Sequence, residues 1–191
     1  MYDVIIRDGT IVRSNGRLVA DIAIEDGKIA YVGGNPGGRA KEEISAIGRF
    51  VMPGVIDAHV HFRDPGHPSK ETWATGSREA LRGGVTTVLD MPNTDPQTLD
   101  QAAVDAKLAS AASQSVVNFG VWAGATEGNV STLNDLWDSG SVCGTKVFMG
   151  DPSGELNVTA EVLEEIFTKT KGLIAVHAED QTALEAAHAE W

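Results

Sequence analysis

The sequence predicts an α/β protein in which a small β-rich segment precedes a parallel sheet with helices between its strands. Two observations lead to this fold class. Residues 1–52 are rich in β-forming residues and turn dipeptides, whereas residues 53–191 alternate between short apolar runs and helical patterns. Five strand–helix pairs follow one another in this second part, and such alternation is typical of βαβ units with parallel strands.

The β-rich segment predicts a small meander. Residues 2–7 and 10–12 are β-forming runs on either side of an expected turn at Asp8-Gly9, and Ser14-Asn15-Gly16 is a hairpin signal. Residues 18–24 place alternate apolar side chains on one face. A turn at 25–27, a strand at 28–32 and a glycine-rich loop at 33–38 complete the segment. No Gly-x-Gly-x-x-Gly pattern or Walker lysine follows a strand here, which argues against a phosphate-binding loop.

The second part predicts five strands, each followed by a helix. The strands are expected at residues 55–62, 85–91, 116–122, 146–149 and 173–177. The helices are expected at residues 71–82, 99–112, 130–138, 159–171 and 181–191. Gly83-Gly84 is a C-terminal helix signal, and Thr159 is a suitable N-cap for the fourth helix.

The strand–helix pattern leaves two architectures open. A closed (β/α)8 barrel typically needs about 250 residues, which is more than this chain has. An open doubly wound sheet could be built from five strands. In both architectures the functional side chains lie at the carboxyl ends of the strands.

Composition and charge exclude several classes of protein. The chain has 191 residues, is 42% hydrophobic and carries a formal net charge of −12. These fractions fit an ordinary globular protein, and the acidic balance argues against nucleic acid or an anionic membrane as partner. Cys143 is the single cysteine, so no intrachain disulfide can form. The sequence shows neither a signal-peptide pattern nor an apolar run of membrane-spanning length, so we expect a cytoplasmic protein.

Two histidines mark the end of the first strand in the second part. His59 and His61 are two residues apart in an apolar run, so their side chains point to the same face. Neutral imidazole is a common ligand of zinc-like ions, and such a pair can hold a metal from one side. An isolated His-x-His also fits structural or surface histidines.

Lys146 and His177 occupy similar places on the fourth and fifth strands. A lysine inside a short apolar strand is costly unless it is paired, and burial lowers its pKa, although it could also extend to the sheet edge. His177 ends an apolar strand, as structural histidines also do. Parallel strands would bring all these side chains to one edge of the sheet, which favours a common function.

Two polar residues at the same edge are candidates for substrate binding. Arg63 follows the histidine pair, and its guanidinium suits a carboxylate bidentately, although a surface ion pair with Asp64 is the simpler alternative. Asn93 follows the second strand beside Pro92, where asparagine also serves as a turn residue.

With these residues the sequence resembles the cyclic amidohydrolases, and among them the dihydroorotases most closely. The matching stretches are residues 53–66 (PGVIDAHVHFRDPG), 70–93 (KETWATGSREALRGGVTTVLDMPN), 144–150 (GTKVFMG) and 175–180 (AVHAED). The resemblance implies an incomplete (β/α)8 TIM barrel, made of its first five β/α units, over residues 53–191. Residues 1–52 would be the N-terminal part of a composite β domain, a small β-sandwich.

The resemblance also implies roles for the candidate residues. His59, His61, Lys146 and His177 match metal ligands, with Lys146 as a carbamate that bridges two zinc-like divalent ions. Arg63 and Asn93 match residues that hold the substrate carboxylate. The implied reaction is the reversible, metal-assisted hydrolysis of the cyclic amide of dihydroorotate to carbamoyl aspartate in pyrimidine biosynthesis.

The family pattern also contains parts that this sequence lacks. A further histidine on strand six and the acid/base aspartate on strand eight would lie beyond residue 191, so no catalytic base is assigned here. Asp57, Asp64, Asp90 and Asp180 are expected to orient ligands or cap turns. The chain is therefore expected to be an N-terminal part of a larger enzyme, inactive alone and homo-oligomeric at full length.

Two other functions remain open from the sequence. Allantoinases and hydantoinases share the family's metal site, but their substrates lack the carboxylate that Arg63 would bind. A non-catalytic dihydroorotase homologue that supports a partner enzyme would usually have lost metal ligands, whereas His59, His61, Lys146 and His177 are all present.

Overall fold

A computed structural model of the chain describes residues 1–150 and 156–189. The chain divides into two compact units, one of residues Met1–Pro53 and one of residues Gly54–Trp191. All the candidate site residues lie in the second unit.

The first unit is a mixed five-stranded sheet. Its strands are β1 (Tyr2–Arg13), β2 (Gly16–Glu25), β3 (Lys28–Gly33), β4 (Ala40–Ser45) and β5 (Phe50–Val51). The order is β3-β2-β1-β4, and β5 pairs with another part of β1. The β1–β2 and β2–β3 pairs are antiparallel, as expected for a meander, whereas β4 and β5 run parallel to β1.

The expected turn at Asp8-Gly9 was wrong, because β1 continues through these residues as a bulge. The pairing of β1 with β2 shifts between Ile6 and Gly9, and Asp8 has a φ of 54°. The Asp8 amide donates to Asp21 Oδ1 over 2.8 Å, which holds the irregularity in place. An Asp-Gly pair can thus be absorbed as one extra residue in a strand.

Strands β4 and β5 were not predicted from the sequence. The β4 segment, AKEEIS, is mostly exposed and contains three charged residues, so it lacks the apolar alternation that predicts a strand. Its pairing depends on backbone hydrogen bonds with β1, which no local pattern reports. The described residues of this unit form one sheet, and the second layer of a sandwich stays a prediction.

In the second unit, six strand segments form two three-stranded parallel sheets. They are β6 (Val55–Val60), β7 (Val85–Asp90), β8 (Asn118–Val121), β9 (Ala123–Gly124), β10 (Thr145–Phe148) and β11 (Ile174–His177). β8 and β9 are separated only by Trp122, and the chain there pairs with β7 before it and β10 after it. In both sheets the strands lie in chain order, β6-β7-β8 and β9-β10-β11, without the reversal found in a doubly wound sheet.

Five helices follow these strands, as the sequence predicts, with ends that move by a few residues. They are α1 (Trp73–Arg82), α2 (Gln101–Gln114), α3 (Leu133–Asp138), α4 (Ala160–Lys169) and α5 (Gln181–Ala189), and a 3₁₀ turn at Val130–Thr132 precedes α3. Thr159 caps α4 as expected, by accepting from the Val162 amide. The last two residues of the predicted fifth helix lie outside the described residues. Among the described residues, no helix combines the length and apolar character needed to cross a membrane.

The core of the second unit holds α1 and α2 against the first strands. Trp73 of α1 is fully buried and meets the Phe62 ring edge-on, with 5.2 Å between ring centroids. Val88 of β7 and Val104 of α2 belong to the same buried cluster. This packing fixes the strand ends from which the site residues extend.

A buried ion pair joins α2 to the end of β7. Lys107 Nζ lies 2.6 Å from Asp90 Oδ2, and the two side chains are 1% and 0% exposed. The ammonium also donates to the Met91 carbonyl over 2.6 Å. The other carboxylate oxygen, Oδ1, accepts from the Phe62 amide over 2.8 Å, immediately after the end of β6. Two neighbouring strand ends are thus tied to one helix.

Substitution Lys107→Met tests how far the fold depends on this pair. Removing one partner leaves a buried carboxylate without compensation, so we expect the free energy of unfolding to fall by about 3–5 kcal/mol. The measurement is urea unfolding of the full-length protein, followed by tryptophan fluorescence.

The matched control is Lys171→Met. Lys171 pairs with Asp138 over 2.7 Å, but both side chains are more than half exposed, so the expected loss is about 0–1 kcal/mol. Equal losses for the two variants would contradict a special role of the buried pair.

Candidate active site

The carboxyl ends of several strands in the second unit surround one cavity. Its volume is about 370 Å³, and its lining consists of His59, His61, Arg63, Asn93, Phe148, His177 and Glu179. The structure thus brings five of the six predicted site residues to one place. Parallel pairing is the cause, because it puts the ends of all strands on the same edge.

His59 lies in β6 and His61 directly follows it, and the two imidazole rings face each other. His59 Nε2 and His61 Nε2 are 3.1 Å apart, as the same-face prediction requires. Zinc binds histidine nitrogen at about 2.0–2.1 Å in tetrahedral geometry, which places two such nitrogens about 3.3–3.4 Å apart. The pair therefore fits two ligands of one ion.

Lys146 is a buried amine that no carboxylate of the described residues opposes. It lies on β10 beside Gly124 of β9 and Ala175 of β11, and its side chain is 1% exposed. Its Nζ is 5.1 Å from the centroid of the Phe148 ring, and among the described residues it forms no ion pair. Burial lowers the pKa of the Lys146 ammonium, which favours the neutral amine.

The histidines are also shifted towards their neutral forms. Burial is the main cause that lowers the pKa of His59 and of His61, and the charge of Lys146 lowers both further. Lys146 does not itself line the cavity, but its Nζ lies 5.1 Å from the ring of Phe148, which does. Neutral imidazole is the form that binds a metal.

Within residues 1–150 and 156–189, no three His, Cys, Asp or Glu side chains converge closely enough to hold one ion. The Lys146 amine is the neighbouring group that can become an oxygen donor, and His177 faces the same cavity. The donor set of histidine nitrogens with an anionic oxygen suits zinc-like ions.

His177 has a partner that the sequence analysis missed. Its Nε2 lies 3.2 Å from Glu179 Oε1, and its ring packs 5.9 Å from that of Phe148. Both neighbours were detectable in principle: Glu179 is two residues beyond His177, and Phe148 is two beyond Lys146. The period of two in extended chain puts such residues on the same side.

Arg63 and Asn93 are joined to each other and to the histidine pair. Arg63 NH1 donates to the Asn93 carbonyl over 3.1 Å. Asn93 Oδ1 lies 2.8 Å from His61 Nδ1. The alternative of an Arg63–Asp64 surface pair is wrong, because Asp64 accepts instead from the Trp73 amide of α1 and from two side chains of α2. Arg63 therefore presents its charge beside the predicted metal ligands.

The four carboxylates singled out in the sequence have supporting roles. Asp57 and Asp90 accept from backbone amides on either side of the histidine pair, those of His59 and Phe62. Asp180 caps α5 by accepting from the Ala183 amide over 3.0 Å. Asp180 thus has the capping role expected from the sequence, and Asp57 and Asp90 hold the backbone beside the histidine pair. The partner of Asp90, Lys107, was missed, although it continues the buried stripe of Val104 and Ala111 on α2.

The loops after β6 and β7 are in direct backbone contact. The Asp95 amide donates to the Pro65 carbonyl over 3.1 Å. Gly66 has a φ of 108°, and a Cβ there would lie 2.6 Å from the Asp95 carbonyl oxygen. This close approach needs glycine, and it keeps the Arg63 loop beside the Asn93 loop.

Comparison with known proteins identifies what the chain is similar to. Residues 50–191 match the model of the amidohydrolase family. A dihydroorotase from Methanosarcina acetivorans is 40% identical over 95% of this chain and 39% of its own length. An allantoinase from Rubrobacter xylanophilus is 40% identical over 97% of this chain and 42% of its own length.

Solved structures agree with the same family. The L-hydantoinase (dihydropyrimidinase) of Arthrobacter aurescens superposes with a TM-score of 0.93 at 33% identity, covering all of this chain and 44% of that one. The chain thus spans about two fifths of the length of the relatives it matches.

Substitution Gly66→Ala tests the contact between the two loops. The added methyl group meets Asp95 in a backbone conformation that L-residues avoid, so we expect a loss of about 1–3 kcal/mol in stability. Thermal unfolding of the full-length protein measures the loss, and faster hydrogen exchange of the Asp95 amide locates it. Gly128→Ala is the control, because only the Thr126 hydroxyl lies near its Cβ, at 3.8 Å. Indistinguishable melting of the two variants would show that the loops do not need this approach.

Proposed function

Because this chain belongs to the amidohydrolase family, we propose that the full-length protein is a dihydroorotase. In this proposal it catalyses the reversible hydrolysis of the cyclic amide of dihydroorotate to carbamoyl aspartate, a step of pyrimidine biosynthesis. The observation that carries the choice of substrate is the position of Arg63. Its guanidinium lines the same cavity as the histidine pair, so a ring that carries a carboxylate can be bound while its amide faces the metal ligands.

The metal ligands in this proposal are His59, His61, Lys146 and His177, which would hold two zinc-like divalent ions. The 3.1 Å between His59 Nε2 and His61 Nε2 supports the first pair. Divalent ions of this kind polarise a carbonyl oxygen and make water a stronger nucleophile at neutral pH.

Lys146 would act as a carbamate that bridges the two ions. Its neutral amine would attack the carbon of carbon dioxide: an N–C bond forms, one C=O π bond breaks with its electron pair going to oxygen, and one N–H proton passes to water. The carbamate anion formed in this way would supply oxygen ligands for the ions. Burial and the lack of a carboxylate partner among the described residues support this role, because both favour the neutral amine.

Arg63 and Asn93 would hold the substrate carboxylate. The guanidinium supplies a charge-assisted hydrogen bond, and the Asn93 side-chain N–H groups supply a second contact. The acid/base group that protonates the leaving nitrogen is left unassigned. Among the described residues, Asp57, Asp64 and Asp90 accept from backbone amides, so none of the three is given that role.

The architecture proposed for the second unit is the first five β/α units of a TIM barrel. The chain-ordered parallel strands and the likeness to the Arthrobacter hydantoinase support it. We also propose that the full-length protein is a cytoplasmic homo-oligomer, which sedimentation of the purified protein would test.

A second candidate is an allantoinase or hydantoinase activity. The identity to the Rubrobacter allantoinase equals that to the Methanosarcina dihydroorotase, and the hydantoinase fold matches the whole chain. These substrates lack the carboxylate that would pair with Arg63, so the two candidates differ in what that residue does.

Substitution Arg63→Met separates the candidates. If the substrate carboxylate binds Arg63, kcat/KM for dihydroorotate should fall about 10- to 150-fold, because a hydrogen bond to a charged group contributes about 1.5–3 kcal/mol. Metal content should fall far less than turnover, and Arg78→Met on the exposed side of α1 serves as control. Steady-state assays of the full-length protein on dihydroorotate, allantoin and hydantoin measure the effect. The second candidate would be favoured if the protein hydrolysed allantoin or hydantoin but not dihydroorotate, and if Arg63→Met did not change that activity.

Substitution Lys146→Met tests the metal centre. With bicarbonate present, the full-length protein should hold two zinc-like ions per chain by elemental analysis, and the variant at most one, because the bridging oxygens are lost. The exposed Lys169, which pairs only with Glu165 in its own helix among the described residues, provides the control Lys169→Met. A wild-type protein without such ions, or a Lys146→Met variant that retains both, would refute the dinuclear proposal.

A further inference from the structure

We infer that Asn93 is a positioning residue for the metal ligand His61 in addition to its proposed contact with substrate. The inference rests on the proposed function in treating His61 as a ligand. It adds a link between the part of the site that would recognise a carboxylate and the part that would hold the metal.

The link is a short hydrogen bond on the far side of the imidazole. Asn93 Oδ1 lies 2.8 Å from His61 Nδ1, while the other ring nitrogen, Nε2, lies 3.1 Å from His59 Nε2. An amide oxygen only accepts, so His61 Nδ1 must carry the proton and donate it. His61 Nε2 then carries the lone pair, faces His59 Nε2 and is the atom that can bind a metal.

The opposite orientation of the amide is incompatible with a ligand role for His61. If the Asn93 NH₂ group faced Nδ1, that nitrogen would have to accept, and the proton of the neutral ring would sit on Nε2. A protonated Nε2 cannot bind a metal. Metal binding by Nε2 therefore requires the Oδ1 orientation, which leaves the NH₂ group of Asn93 for another acceptor.

Asn93 is itself held in position from two sides. Arg63 NH1 donates to its backbone carbonyl over 3.1 Å. The preceding Pro92 is buried, and its carbonyl accepts from the amides of Thr94 and Thr98 over 2.9 and 3.0 Å. A side chain anchored in this way can orient the ring beside it.

The two ends of the Asn93 amide thus have different tasks. Its oxygen fixes the tautomer and the direction of His61, and its NH₂ group, which forms no hydrogen bond within the described residues, lies in the cavity lining for a substrate carboxylate. Groups that hold a metal-bound histidine in this way typically contribute about 10- to 100-fold in metal affinity.

Two substitutions at position 93 separate these tasks. Asn93→Asp keeps an oxygen that accepts from His61 Nδ1 but loses the NH₂ group, whereas Asn93→Ala loses both. We expect zinc dissociation constants, measured by chelator competition on the full-length protein with bicarbonate, to rise about 10- to 100-fold in Asn93→Ala and to stay near wild type in Asn93→Asp. Both variants should raise the KM for dihydroorotate.

A spectroscopic measurement on the metal-free protein provides an independent readout. The ¹⁵N resonances of His61 should report the Nδ1–H tautomer in the wild-type protein and in Asn93→Asp, and a mixture of tautomers in Asn93→Ala. If Asn93→Ala does not fold, the inference is still tested by the tautomer of His61 in the wild-type protein and by the zinc affinity of Asn93→Asp.

Unchanged zinc affinity in a folded Asn93→Ala variant would overturn the inference, and so would an Nε2–H tautomer in the wild-type protein. Equal loss of zinc affinity in Asn93→Asp and Asn93→Ala would also overturn it, because the oxygen that accepts from His61 would then not matter. Zinc affinity is measured without substrate, so failure to hydrolyse dihydroorotate would refute the proposed function and leave this result standing.

Discussion

The buried ion pair between Asp90 and Lys107 is the interaction on which the geometry of the site depends. Burying two charges is costly, and the cost is compensated only where geometry and additional hydrogen bonds are good. Here the ammonium also bonds to the Met91 carbonyl, and the carboxylate also accepts from the Phe62 amide. One pair thus fixes the positions of two neighbouring strand ends.

The site residues are the immediate neighbours of those fixed points. His61 and Arg63 flank Phe62, and Asn93 follows Met91 by two residues. The loops that carry them touch through the Pro65–Asp95 hydrogen bond, which leaves the Arg63 side chain beside Asn93. The proposed ligands from β10 and β11 join them through parallel pairing, which sets Phe148 opposite His177. The positions of the candidate site side chains are therefore set by backbone segments that the core holds in place.

The sequence predicted those features that leave a local trace. The alternation of strands and helices, the pairing of His59 with His61 and the cap at Thr159 follow from periodicity and side-chain chemistry, and the structure confirms them. Strand β4 was missed because its charged residues are held by backbone bonds to a distant strand. Lys107 was missed because a lysine in an alanine-rich helix is ordinarily solvated, and only its partner Asp90, on another element, makes it a core residue.

The central claim is that the cavity at these strand ends is a metal centre built from His59, His61, Lys146 and His177. Anomalous diffraction at the zinc edge, from crystals of the full-length protein grown with zinc and bicarbonate, tests it most directly. The account predicts two peaks, one within about 2.0–2.1 Å of His59 Nε2 and His61 Nε2 and both next to a modified Lys146 side chain. Peaks elsewhere on the protein, or an unmodified Lys146 without metal at the histidine pair, would contradict it.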